Sequence, residues 1–224
     1  ASPYSVEVLR AGYSSDERSA CTITLVSGAN QHILIDTGGP WEADLLTNLL
    51  TARGLSASSI SMVICTHGHV DHIGNLAMFS TGCPNKLMIV GCDIAQSPDR
   101  FLAHDFRSGI AYELDEFVRI VHTPGHSSDD VTVLVRTSSG PLFEAMKAEG
   151  ESEITVAVAG DLFESEADFN ADGDAQWMSR SANSEVQTDQ RKRILHKSQA
   201  VVPGHGPAFR VKPEFQRSVS VEEM

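Results

Sequence analysis

The chain has 224 residues, a formal net charge of −13, and 41% hydrophobic and 21% charged residues. That balance is ordinary for a globular protein, with length enough for a sizeable core, and a single domain over 1–224 is expected. No apolar run approaches the roughly 20 residues that span a bilayer, so no membrane partner is expected. The acidic excess argues against a broad nucleic-acid surface, which would neutralise phosphates with Lys and Arg.

In chain order, Tyr4 to Arg10 alternates like an edge strand. Cys21 to Val26 and His32 to Asp36 read as two strands joined by the turn Ser27-Gly28-Ala29-Asn30. The second leaves its sheet sharply at Asp36-Thr37-Gly38-Gly39-Pro40. Asp36 there either shapes the turn or holds a neighbouring ligand loop through its carboxylate. Trp41 to Ala52 is helical, with Trp41, Leu45, Leu49 and Ala52 on one face, Leu46 and Leu50 widening it, and Gly54 ending it. Ile60 to Cys65 is a short buried strand, and Ile73 to Phe79 could open a helix.

Leu87 to Val90 is another strand. Cys92 to Ser108 reads as a long mixed loop in which His104-Asp105 could reach a site. Glu116 to His122 is a strand that runs into Thr123-Pro124-Gly125-His126, where the Pro-Gly pair turns the chain and fixes His126. Val131 to Val135 follows as its pair. Ser138 to Glu153 reads as a mobile polar insertion. Ile154 to Gly160 is a strand that ends in Asp161. Trp177 anchors the polar stretch after it, Glu185 to Lys197 is the last helix, and Gln199 to Val202 is the final strand, ending in Pro203-Gly204-His205-Gly206. Cys21, Cys65, Cys83 and Cys92 contain no C-x-x-C pair and read as free thiols of a reducing compartment.

The chemistry concentrates between two of these elements, in Thr66-His67-Gly68-His69-Val70-Asp71-His72. His67 and His69 are two residues apart, so in an extended segment their rings point the same way and can converge on one cation. Asp71 and His72, at the next turn, can face a second. Neutral imidazole and carboxylate both suit zinc. Each ligand-type residue of the chain follows a strand, which brings them together if those strand ends share an edge.

IDTGG, THGHVDHIGN, TPGH, GDLF and PGHG, in that order, resemble the metallo-β-lactamase superfamily over nearly the whole chain. The resemblance implies an α/β fold, an αββα sandwich of two mixed sheets flanked by helices, with the site at one edge. It implies that His67, His69 and His126 hold a first metal, that Asp71, His72 and His205 hold a second, and that Asp161 bridges both. Two zinc ions per chain are the expected cofactors, with iron or manganese as alternatives. Such a set, all nitrogen and oxygen with positions left open, suits catalytic zinc. A hydroxide shared by the ions is the expected nucleophile, oriented by Asp71. His122, His32 and His196 match no motif, and His122 reads as structural.

The longer strings THGHVDHIGNL, VAGDLFE, RKRIL and VVPGHGPAFRV, with IDTGGPW upstream, are similar to one group of that superfamily. Its members are described as dimeric, cytosolic and nuclear zinc endoribonucleases that act on the 3′ end of histone pre-mRNA. An RNA substrate, a homodimer and a cytoplasmic and nuclear location follow as expectations. Arg191, Lys192, Arg193 and Lys197, with Arg210 and Lys212, could form a local phosphate track or simply a solvated helix face. The alternatives are a thioester hydrolase similar to glyoxalase II, an iron persulfide dioxygenase that leaves Asp71 and His72 unmetallated, and a non-enzymatic metal binder.

Overall fold

The computed structural model describes residues 1–80 and 86–218; Cys83 lies outside them. The first half gives β1 (Ser5–Arg10), a small hairpin of β2 (Tyr13–Ser14) and β3 (Ser19–Ala20), β4 (Ile23–Ser27), β5 (His32–Ile35), α1 (Ala43–Thr51), β6 (Met62–Cys65), α2 (Val70–Ile73), β7 (Leu87–Val90), β8 (Asp93–Ser97) and β9 (Arg100–Leu102). The second half gives β10 (Tyr112–Glu113), β11 (Val118–His122), β12 (Val131–Thr137), α3 (Pro141–Met146), β13 (Ile154–Gly160), α4 (Ala171–Arg180), α5 (Ser184–Lys197), β14 (Ala200–Pro203), β15 (Phe209–Arg210) and α6 (Pro213–Ser218). Seven strands make one sheet, in the order β1-β4-β5-β6-β7-β8-β9, and six make another, β10 through β15 in sequence.

Alternation along the strands builds three apolar layers. Ile33 and Ile35 of β5 point into the space between the sheets, where they join Val131, Val133 and Val135 of β12 and Val156 and Val158 of β13. Leu34, between them, points the other way and packs with Leu46 and Leu50 of α1. On the outer face of the second sheet, Leu134, Ala157 and Val201 pack with Ile194 and Leu195 of α5 and Phe215 of α6. Helix, sheet, sheet, helix is the expected αββα sandwich. Both sheets are mixed: β5, β6 and β7 run parallel in the first and β13 with β14 in the second, and the other pairs are antiparallel.

Several elements differ from the sequence reading. The buried face of α1 is Leu46 and Leu50, while Trp41 precedes the helix and is 95% exposed. The helix after the His loop starts earlier, at Val70, and lasts four residues before a 3₁₀ turn at Leu76–Phe79. The segment read as a loop from Cys92 to Ser108 contains the β8–β9 hairpin at the sheet edge. The Ser138–Glu153 stretch is no loose insertion, since it carries α3, whose Leu142 and Phe143 enter the inter-sheet core beside β1. β15 and α6 follow the elements read as last.

Candidate metal centre

Strand direction explains why distant residues meet. β5 and β6 are parallel, so Asp36 and the Thr66–His72 loop leave the first sheet at the same edge. β11 and β13 are both antiparallel to β12, and β14 is parallel to β13. The loops carrying His126, Asp161 and His205 therefore leave the second sheet at one edge too. The two edges coincide: His69 Nδ1 of the first lies 3.0 Å from His126 Nε2 of the second.

His67 Nε2 is likewise 3.0 Å from His69 Nδ1. Asp161 Oδ2 lies 3.3 Å from His126 Nε2 and 3.8 Å from His67 Nε2. Donors around a tetrahedral zinc, with metal–nitrogen bonds of about 2.0–2.1 Å, stand about 3.3 Å apart. These four atoms already approximate that spacing. A second set lies against the first. Asp71 Oδ2 is 3.8 Å from His72 Nε2 and 3.7 Å from His205 Nε2. Asp161 reaches into this set as well, with Oδ1 3.2 Å from His72 Nε2 and Oδ2 3.2 Å from His205 Nε2. The structure thus brings all seven nominated residues together, with Asp161 in contact with both groups of three.

The donors fit a cation better than they fit each other. His72 Nε2 and Asp161 Oδ1 are buried 3.2 Å apart, yet neither makes a well-formed hydrogen bond, an uncommon and costly state for interior polar atoms. The two outer nitrogens that are satisfied orient their rings. His72 Nδ1 lies 2.9 Å from Asp36 Oδ2, and His205 Nδ1 lies 3.0 Å from Ala20 O, so in both rings Nε2 is the atom turned inward. Asp36 also accepts from the Thr66 amide at 2.8 Å and from its hydroxyl. Its backbone is left-handed, with φ 61°, which Asp tolerates better than most residues. Of the two roles considered for it, Asp36 fills both: it turns the chain and braces the ligand loop.

Charge tells the same story. Burial and the neighbouring His72 hold His67 well below the usual histidine range. Burial also lowers His126, although Asp161 opposes it. For His72, burial is outweighed by the Asp161 and Asp36 carboxylates, and its pKa lies well above the usual value. His205 is pushed up to about 9 in the same way, with Asp161 overcoming burial. Burial would raise Asp161, but His72 and His205 outweigh it and hold it well below the carboxylate range. Protons on His72 and His205 therefore supply, in the ion-free chain, the positive charge that a dication could supply instead.

The family model of the metallo-beta-lactamase superfamily matches residues 16–138. The chain belongs to the metallo-β-lactamase superfamily. Metallo-beta-lactamase domain-containing protein 1 of Xenopus laevis is 40% identical over 217 residues, covering 94% of this chain and 83% of that protein. The human protein of that name is 34% identical over 245 residues, covering 95% and 84%. A crystal structure of a metallo-beta-lactamase family protein from Thermus thermophilus superposes with a TM-score of 0.58 at 15% identity, over 96% of this chain and 77% of that one. Members of the superfamily are generally metal-dependent hydrolases, and this chain carries a His/Asp cluster capable of binding metal.

Other residues of this metallo-β-lactamase-fold chain matter that sequence reasoning passed over. Gln187 at the start of α5 donates from Nε2 to the carbonyls of Asp161 and Leu162, at 3.0 and 3.2 Å. The amides of Asn183 and Ala182, just before, donate to the carbonyls of Gly125 and His126. One segment so holds two ligand loops. No local signal marked Gln187, which reads as a surface polar residue of a helix. Glu164 is buried near Asp161 and His205, and burial with Asp161 raises it to about 7; its place three residues after Asp161 in GDLFE was the available cue. A cleft of ≈ 260 Å³ opens beside His205, lined by Glu164, Trp177 and Arg180 among others.

One expectation fails. His104 Nε2 pairs with Ile110 O at 3.0 Å, and Asp105 caps a turn by accepting from the Ser108 amide, so neither joins the cluster. Of the six basic residues considered for a phosphate track, three are paired with carboxylates. Arg191 is interior, paired with Asp168 at 2.9 Å and stacked 4.3 Å over the Trp177 ring. Arg210 and Lys212 are matched by Glu151 and Glu166, each at 2.8 Å. Among the described residues no helix is long and apolar enough to cross a membrane.

Proposed function

We propose that this chain is a two-zinc hydrolase that cleaves RNA phosphodiester bonds, as a homodimer of the cytoplasm and nucleus. The observation that carries the two-ion reading is Asp161, whose carboxylate touches both histidine groups. In this reading His67, His69 and His126 would hold one ion and Asp71, His72 and His205 the other, with Asp161 within reach of both. Bound there, the ions would supply Lewis acidity toward a phosphoryl oxygen and a bound water.

The chain's own groups do the rest. Asp71 has the most exposed carboxylate of the set, its side chain 30% open, and so is placed to orient an attacking water and take its proton at Oδ. Buried His67, His72 and Asp161 exclude bulk solvent behind it. No serine or cysteine nucleophile is needed. The choice of RNA rests on the resemblance of the longer motif strings to the endoribonuclease group.

The test uses protein purified without added metal. Two zinc ions per chain by mass spectrometry and cleavage of labelled histone pre-mRNA, with no turnover of S-lactoylglutathione, are expected. His69→Ala should lose turnover and keep the fold. One iron per chain, or thioester hydrolysis without RNA cleavage, would overturn the reading.

A further inference from the structure

Cys92, His122 and Asp129 belong to none of the five motifs. Cys92 stands two residues beyond β7 in the first sheet, and His122 ends β11 in the second. Asp129 lies in the loop that carries His126. Residue 91 makes their meeting possible. Gly91 has φ 54°, and a side chain there would run into the Asp129 carbonyl. A sulfur, a ring nitrogen and a carboxylate oxygen from the three residues lie within 4.8 Å of one another. Cys92, His122 and Asp129 are each half-buried.

We infer that Cys92, His122 and Asp129 form a second cation site, apart from the seven-residue cluster, for a thiophilic divalent ion such as zinc. Thiolate, imidazole and carboxylate are zinc's donor types, and three protein donors leave a position for water. Thiolate and carboxylate together balance the charge of a dication. Donors around zinc stand about 3.3–3.8 Å apart, so the group closes by about 1 Å on binding, within reach of side-chain rotation. Its present partners are weak or exchangeable. Cys92 Sγ is 3.7 Å from Asp129 O, and His122 Nε2 is 2.9 Å from Ser128 O. Ser128 Oγ is 3.3 Å from Asp129 Oδ2. The competitor is Arg107, whose Nη2 lies 2.5 Å from Asp129 Oδ1; its side chain is 66% exposed, and exposed pairs of this kind are readily exchanged. Burial and Asp129 push the Cys92 thiol up to about 11, so binding expels a proton. An ion here ties the end of β7 to the loop of His126 across the two sheets.

Cobalt titration of the full chain tests this. The main cluster offers only nitrogen and oxygen, so a thiolate-to-cobalt charge-transfer band can come only from a cysteine. The band should appear, level off at the intensity of one cobalt–thiolate bond per chain, and vanish in Cys92→Ser. Asp129→Asn should weaken the ion by at least about tenfold. Arg107→Ala, a surface change that spares the fold, should tighten it. A wild-type chain without the band, a band that survives Cys92→Ser, or unchanged affinity in Arg107→Ala would overturn the site.

Discussion

Chelating the metal and raising the pH should destabilise the protein in a window set by His205. Its pKa is pushed up to about 9, because the Asp161 carboxylate outweighs burial, whereas an unfolded histidine titrates near 6.5. In the ion-free chain, protonated His205 therefore contributes stability that is complete below about pH 6.5 and lost as the pH rises through about 9. The gap corresponds to on the order of 3 kcal/mol, or roughly 6–12 °C of melting temperature for a chain of this size. Burial pushes His67 and His126 down, so both are neutral in the folded chain through that window; their unfolded forms are half-protonated at about pH 6.5, which offsets His205 by about 0.4 kcal/mol each as the pH rises. Glu164 and Asp130 are pushed up to about 7, so the cost of ionising them falls largely below it. His72, held high by Asp161 and Asp36 against burial, acts in the same sense as His205. With zinc bound, the ion replaces these protons and the dependence should flatten. Urea unfolding followed by circular dichroism at pH 6.5 and 9, with and without chelator, measures both limbs. A chelated protein as stable at pH 9 as at 6.5 would refute the assignment of charge to this cluster.

Three substitutions probe the supports. Asp36→Asn keeps a residue that tolerates φ 61° but weakens the bonds to His72 and Thr66; zinc affinity, read by competition with a chromophoric chelator, should fall by about 10–100-fold. Gln187→Leu strips hydrogen bonds from the Asp161 and Leu162 carbonyls; it should cost about 1–3 kcal/mol in urea unfolding and loosen metal binding, and wild-type values for both would remove Gln187 from the site's framework. Gly204→Ala places a methyl against the Asp161 carboxylate, so metal content by mass spectrometry should drop with the change in activity.

Where the sequence was informative, the physics was local. Strand ends followed by His or Asp could be read because a buried strand and its exit turn occupy consecutive residues, as in Ile154–Asp161. The pairing of Asp36 with His72 was half-legible: an Asp after a strand signals a turn, but only the parallel pairing of β5 with β6 shows which ring it meets. The face of α1 was misread because Leu45, Leu46, Leu49 and Leu50 fit two overlapping stripes, and only packing against Leu34 selects Leu46 and Leu50. The β8–β9 hairpin lies at the sheet edge in strands of five and three residues and fully buries only Ile94, so its sequence carries little pattern. α3 is six residues long with two buried side chains, too short to carry periodicity. Arg191 looked like a surface cation because nothing in its neighbours announces Asp168 and an aromatic cage.

The ligand loops divide between the sheets: four of the seven donors hang from the first and three from the second. Neither half alone owns a full coordination sphere. An ion seated among them acts as a rivet through the seam, and prying the halves apart means tearing metal bonds as well as apolar contacts. Metal retention should then serve as a gauge of whether the halves have joined, and a nascent or clipped chain holding only one of them should pass its ion back to the solution.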